Sequence, residues 1–233
     1  QGAAPSLDVL QLLASCYIKQ NDGAGYGFAL EKLLAYYPKK EYWADAIRRV
    51  EIKPGFSDQL TLDVLRLLQA TGNLTTAAQY TAMAQLALKV GYPAEAKRVI
   101  DQGFAAGVLG AGADSGLQRR LRDTATKQAA EDETMLGQNA KDAAAAKDGT
   151  ALVNVGFALV TAGQLDKGLM LMEQGIQKGA VKRPDDAKLH LAIAYLTAGE
   201  KAKAIQTFKT VQGSDGTADL ARLWLIHAQR SPS

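Results

Sequence analysis

Residues 150–179 read TALVNVGFALVTAGQLDKGLMLMEQGIQKG, and this stretch decides the fold. Leu152, Val155, Gly156, Leu159 and Val160 recur at helical spacing. Ala162-Gly163-Gln164 then interrupts, and Leu165, Leu169, Met172 and Ile176 resume the same period. Apolar residues so spaced line one face of a helix and need a surface to cover it. Asp148 or Thr150 suits the cap of the first helix, Gly163 the left-handed position that ends it, and Gly179 the close of the second. The spacing predicts an αα-hairpin.

Outward from this hairpin the pattern repeats. Gly163 and Gly199 stand 36 residues apart, as do Gly55 and Gly91, and 72 residues separate Gly91 from Gly163. A glycine recurring amid helical sequence marks a supersecondary unit stacked along the chain. One unit after the hairpin, Ala192 takes the slot of Gly156, Tyr195 of Leu159, Ala204 of Gly168 and Phe208 of Met172. Small residues at 156/192 and 168/204 fit the crossing of two helices, where a larger side chain would hold the backbones apart. Thr217–Arg230 carries the pattern on through Trp224 and Ala228 as a lone helix that caps the stack. Upstream, Tyr80, Ala84, Ala87, Gly91, Ala96 and Ile100 fill an earlier unit, with Pro93 at the tolerated start of its second helix. Further helices are predicted over 6–19, 26–36, 41–50 and 58–71.

The skipped slot falls at Lys127. From 115 to 147 there is no proline, and Gly116 and Gly137 are the only glycines. One long helix, a degenerate repeat whose turn has fused, is the reading that nothing in the sequence stops. A hairpin with an unmarked turn near 127–131 is the alternative. The chain thus divides into an N-terminal helical-repeat block (6–106), a long connecting helix or degenerate repeat (114–148), and C-terminal repeats with a capping helix (150–230).

Composition narrows the function. An apolar fraction of 47% excludes a mostly disordered chain, and its emphasis on alanine over aromatics (6%) suits close helix packing. A formal net charge of +3, with basic residues interleaved among acids, gives no footprint for nucleic acid. The densest basic run, Arg119, Arg120 and Arg122, reads as a solvated face. No stretch reaches the ~18–20 apolar residues that cross a bilayer, so membrane insertion is not expected. Cys16, the single cysteine, lies in an apolar run and reads as a buried, inert thiol. His190 and His227, the whole histidine supply, read as packed or half-buried and too few for a metal site or most triads. The glycine-rich 107–115 approaches a dinucleotide fingerprint, but Ser115 replaces its third glycine and no strand precedes it. Glu131-Asp132-Glu133 and Asp185-Asp186 splay around their helices and read as solvated surface and helix start. No catalytic residue, cofactor or metal ligand is expected.

On Leu152, Asn154-Val155-Gly156, Leu159, Gly163, Gly168, Met172 and Gly175, then Lys188, Leu191-Ala192, Tyr195, Gly199, Ala204, Phe208 and Val211, the chain resembles tetratricopeptide repeat proteins of bacteria. Trp224 takes the aromatic slot of the cap. The match is good over 150–230, fair over 77–103 and weak before Gly72. The resemblance implies an all-α superhelical solenoid of about 12–13 helices in antiparallel pairs, whose first helices line a concave groove for a partner. Groove positions carried over are Thr150, Val153, Asn154, Phe157, Thr161, Asp186, Leu189, Ile193 and Thr197. Asn154 matches the asparagine of the subgroup that clamps a partner's terminal carboxylate. Asp186 and His190 stand where that subgroup has basic residues, and an acid there repels a carboxylate.

The expected function is a non-enzymatic scaffold that binds a protein or peptide, within a bacterial cell-envelope complex. By analogy with exported members the periplasm is the expected location, and the cytoplasm the alternative. The chain opens at Gln1 without methionine, read as processing or trimming. The rival function is structural self-assembly, in which a homo-oligomer completes the burial of Trp224 and the terminal helix.

Overall fold

In the computed structural model, which describes residues 4–230, the three best-marked comb glycines end helices in the same way. Gly91, Gly163 and Gly199 hold φ of +84°, +86° and +79°. At Gly163 the amide bonds Val160 O at 3.0 Å and the next amide, Gln164, bonds Leu159 O at 2.9 Å. Gly91 with Tyr92, and Gly199 with Glu200, make the same pair of bonds. This Schellman turn needs a left-handed residue, which glycine adopts without a Cβ clash. Gly55 also has positive φ (+86°) but belongs to a different turn, in which Phe56 bonds back to Lys53.

These turns punctuate an all-helical chain. Its elements are α1 (Leu7–Lys19), α2 (Gly23–Tyr36), α3 (Lys40–Glu51), α4 (Thr61–Ala70), α5 (Ala77–Lys89), α6 (Pro93–Ala105), α7 (Ser115–Ala145), α8 (Thr150–Thr161), α9 (Leu165–Lys178), α10 (Pro184–Thr197), α11 (Lys201–Phe208) and α12 (Thr217–Arg230). A 3-10 turn at Asp58–Leu60 leads into α4. There is no strand among the described residues. Neighbouring helices pack as pairs: α1 with α2, α5 with α6, α8 with α9, α10 with α11. Ala84, Ala87 and Ala96 in the first half, and Ala192 and Ala204 in the second, are fully buried at these contacts.

Helix α7 runs unbroken for 31 residues, about 46 Å at 1.5 Å per residue, with Lys127 mid-helix. Its buried residues, Gln118, Ala125, Leu136 and Ala143, form one thin stripe. That stripe rests on α5, α6 and α8, while the remaining faces are largely solvated.

The ends of the array meet. Helix α12 packs against α2, α3 and α4 as well as its neighbours α10 and α11. Lys53 pairs with Asp219 at 2.8 Å, Arg222 with Glu31 at 3.3 Å, and the amide of Ser57 bonds Asp215 O at 2.9 Å. His227 meets Trp43 of α3 edge-on at 6.1 Å. Two sequence-based expectations are corrected here. Trp224 is only 4% exposed within one chain, so no second copy is needed to cover it. Cys16 is exposed, because α1 buries Leu10 and Ala14, half-buries Leu7, Leu13 and Tyr17, and turns Val9, Leu12 and Ile18 outward.

Candidate functional site

Closure brings residues from α4, α6, α8, α10 and α12 into one interior. On α4, Asp63 and Arg66 lie one turn apart in the leucine-rich run TLDVLRLLQA, and both are buried. The guanidinium of Arg66 grips Glu95 of α6 through two bonds, Nε at 2.8 Å and Nη2 at 2.6 Å, and donates from Nη1 to Asp63 at 2.8 Å. His190 of α10 closes the set at 2.9 Å from the same Asp63 oxygen. Phe157 of α8 stacks on the His190 ring at 4.7 Å and lies 4.8 Å from the Arg66 guanidinium carbon. Tyr92, edge-on to Phe157 at 5.3 Å, flanks the guanidinium at 5.4 Å.

Burial alone would push the Asp63 carboxyl up. The charges and hydrogen bonds of His190 and Arg66 outweigh it and hold Asp63 well below the usual carboxylate range. Burial likewise works against charge on Arg66, and Glu95 and Asp63 overcome it to raise its affinity for the proton. The Tyr92 phenol is pushed up to about 12, by burial first. Every charge is matched by hydrogen bonds, as buried charges must be to persist. The four groups therefore tie α4, α6 and α10 together, and α8 packs onto them through Phe157.

A pocket of about 270 Å³ opens beside this network. Phe157, Val160, Ile193, Leu196 and Trp224 form its apolar walls, with Gln69, Arg98, Thr161, Thr197 and His227 around them. Burial beside two indoles lowers the His227 pKa from its ordinary value and favours the neutral ring. Arg98, Val160, Thr161 and Thr197 also line a second concavity of about 590 Å³ that reaches α7 at Ala129, Asp132, Glu133 and Leu136. A third, of about 440 Å³, shares Ala94, Lys97 and Arg98 with it along α6. The three join at Arg98, whose Nη1 donates to the Thr161 carbonyl at 2.9 Å. Arg98 has no carboxylate within ion-pair distance among the described residues.

Of the nine positions expected along a groove, Phe157, Thr161, Ile193 and Thr197 share the first pocket. The others lie apart from it. Val153 is buried against Gly175 of α9, and Leu189 is fully buried rather than facing an open groove. Thr150 is half-buried at the start of α8, its hydroxyl accepting from the Lys182 amide at 3.2 Å. Asn154 faces solvent. Asp186 pairs with Arg183 and accepts from Thr217 at 3.3 Å. Sequence reasoning did not single out Asp63, Arg66 and Glu95. The signal was present: an acid and a base one turn apart on a helix with leucine or valine on every side.

Among the described residues no group of three or more His, Cys, Asp or Glu is placed to hold a metal ion, and no helix is long and apolar enough to cross a membrane. Compared with known proteins, the chain matches no family model, no curated protein and no solved structure, so its functional reading is carried by this geometry.

Proposed function

We propose that this chain is a non-enzymatic scaffold that binds an extended segment of a partner protein in the cleft between α6, α7 and the C-terminal ends of α8 and α10. The observation that carries the reading is the continuity of the three concavities through Arg98. A cleft of that extent, apolar at one end and mixed in charge at the other, suits a peptide with an apolar anchor and polar flanks. Arg98 offers a charge not spent on an internal carboxylate, and Asp132 and Glu133 face it across the cleft from α7. A tetratricopeptide-type superhelix is part of the same proposal, supported by the 36-residue Schellman turns and the small residues at the crossings. The bacterial envelope location belongs with it through the resemblance alone.

Charging Phe157 and Ile193 is unsuitable as a test, because both are buried and an unpaired charge there would unfold the chain. Arg98 and Thr197 are exposed on the cleft. The variant Arg98→Glu with Thr197→Trp should keep the helical circular dichroism of the wild type. It should lose, by at least tenfold, the partner that the wild type captures from native extract. A partner retained equally by both proteins would place binding elsewhere.

A further inference from the structure

Neither the ion network nor the peptide cleft uses the seam where α12 closes onto α2 and α3. A groove of about 680 Å³ runs along it, a volume ordinary for a small-molecule site. Ala24, Phe28, Ala46, Val50, Ile52 and Leu223 give it apolar walls, and Phe28 and Ile52 are left 51% and 69% exposed. On α2 the lining runs from Gly23 to Glu31, about 12 Å of helix. Gly23 and Gly27 stand one turn apart within it, each with nothing within 4 Å of its would-be Cβ, so side chains leave this wall open.

The charges around the groove do not cancel. Lys53 pairs with Asp219 at 2.8 Å, and Arg222 pairs with the same Asp219 and, at 3.3 Å, with Glu31. Two cations and two carboxylates thereby answer one another, and Arg49 is the lining cation left over. Its guanidinium lies on the Tyr26 ring at 4.0 Å, and Asp45 stands 3.4 Å from Nε without making a hydrogen bond. Neither Tyr26 nor Asp45 lines the groove, so both hold Arg49 from the side away from it. Nε is buried, but Nη1 and Nη2 reach solvent on a side chain 40% exposed and have no hydrogen-bond partner among the described residues. A guanidinium held in this way, with both outer nitrogens unspent, is arranged to take a carboxylate in two parallel bonds. We propose that the groove binds an unbranched alkyl monocarboxylate, its carboxylate on Nη1 and Nη2 of Arg49 and its chain along the open wall of α2 between α3 and α12. A single negative charge matches the single unanswered cation. The bound chain bridges the two ends of the array, and the site is separate from the peptide cleft around Arg98.

Decanoate and 1-decanol share a chain and differ in charge. Isothermal titration of the whole protein, below micelle formation, should show decanoate binding saturably, one per chain, at least tenfold more tightly than decanol. Arg49→Met keeps an apolar stem without the charge and should bring decanoate down to the affinity of decanol. Gly27→Leu places a side chain in the open wall and should abolish binding of both probes, with the circular dichroism of the wild type. Arg98→Glu should bind decanoate as the wild type does, so the groove and the peptide cleft fail separately. Absence of saturable decanoate binding, which would leave the groove to a protein segment, overturns the site. Equal affinities for the two probes, a preference for decanoate that survives in Arg49→Met, or binding undiminished in Gly27→Leu would each do the same.

Discussion

Gly156→Val should destabilise the fold by about 3 kcal/mol or more, the upper end of what overpacking costs. Helices α8 and α9 approach through glycines on both sides. A Cβ at Gly156 would stand 2.7 Å from Gly168 O and 2.8 Å from Met172 N. One at Gly168 would stand 2.6 Å from Gly156 O and 2.8 Å from Val160 N. Gly149 and Gly175 repeat the arrangement one heptad away, where a Cβ at Gly149 would fall inside the Gly175 carbonyl. Backbone atoms cannot rotate aside as a side chain can, so the helices must part, and α8 carries Phe157 into the ion network. Gly137 is the internal control, since it lies mid-helix in α7 with nothing within 4 Å of its would-be Cβ. Gly137→Ala should stabilise by roughly 0.5–1 kcal/mol, the ordinary helix gain over glycine. Urea unfolding of the two variants should therefore move the midpoint in opposite directions.

Arg66→Met should destabilise by about 3–5 kcal/mol, the usual consequence of removing one partner from a buried ion set. The guanidinium supplies three bonds of 2.6–2.8 Å to two carboxylates that are themselves buried. Without it, Glu95 keeps no ion-pair partner among the described residues and Asp63 keeps only His190. The pH dependence fixes the sign. Asp63 has a folded pKa below its ordinary value of 3.8, so its contribution is fully present above that value and falls away as pH drops below it. In Arg66→Met the stranded carboxylates bind protons more readily, so the deficit against wild type should shrink on going from pH 7 to pH 4. Replacing Asp63, Arg66 and Glu95 together by leucine or methionine should be far milder than Arg66→Met alone, because no buried carboxylate is stranded. Thermal unfolding followed by circular dichroism at the two pH values reads all three effects.

The helices were legible because their ends are written in local chemistry. Gly91, Gly163 and Gly199 each sit where a left-handed residue must stop a helix, and the stretch 115–147 contains nothing that stops one, which is why Lys127 lies within α7. Gly156 and Gly168 announced the tight crossing by their size. Closure was not legible, since it depends on how small rotations between successive pairs add up across the whole chain. Lys53 and Asp219 are separated by 166 residues, and neither carries a local sign of the other. The apolar run around Cys16 misled for a related reason: the sequence shows that α1 is amphipathic but not how much of its surface its main neighbour, α2, covers. Four of the nine groove positions share a pocket, Phe157 with Thr161 and Ile193 with Thr197 each standing one turn apart on its helix. The depth of Val153 and Leu189 comes from helices packed onto that face, which phase alone does not reveal.

The return of α12 onto α2, α3 and α4 encloses an interior and, through Trp224 and His227, completes the pocket. Zero-length carbodiimide cross-linking of dilute monomer, mapped by mass spectrometry, tests that closure most directly. A closed array predicts an intrachain amide between Lys53 and Asp219, whose charged atoms lie 2.8 Å apart, alongside the local link between Lys97 and Asp101. Recovery of the local link without the Lys53–Asp219 link would contradict closure, and with it the interior site.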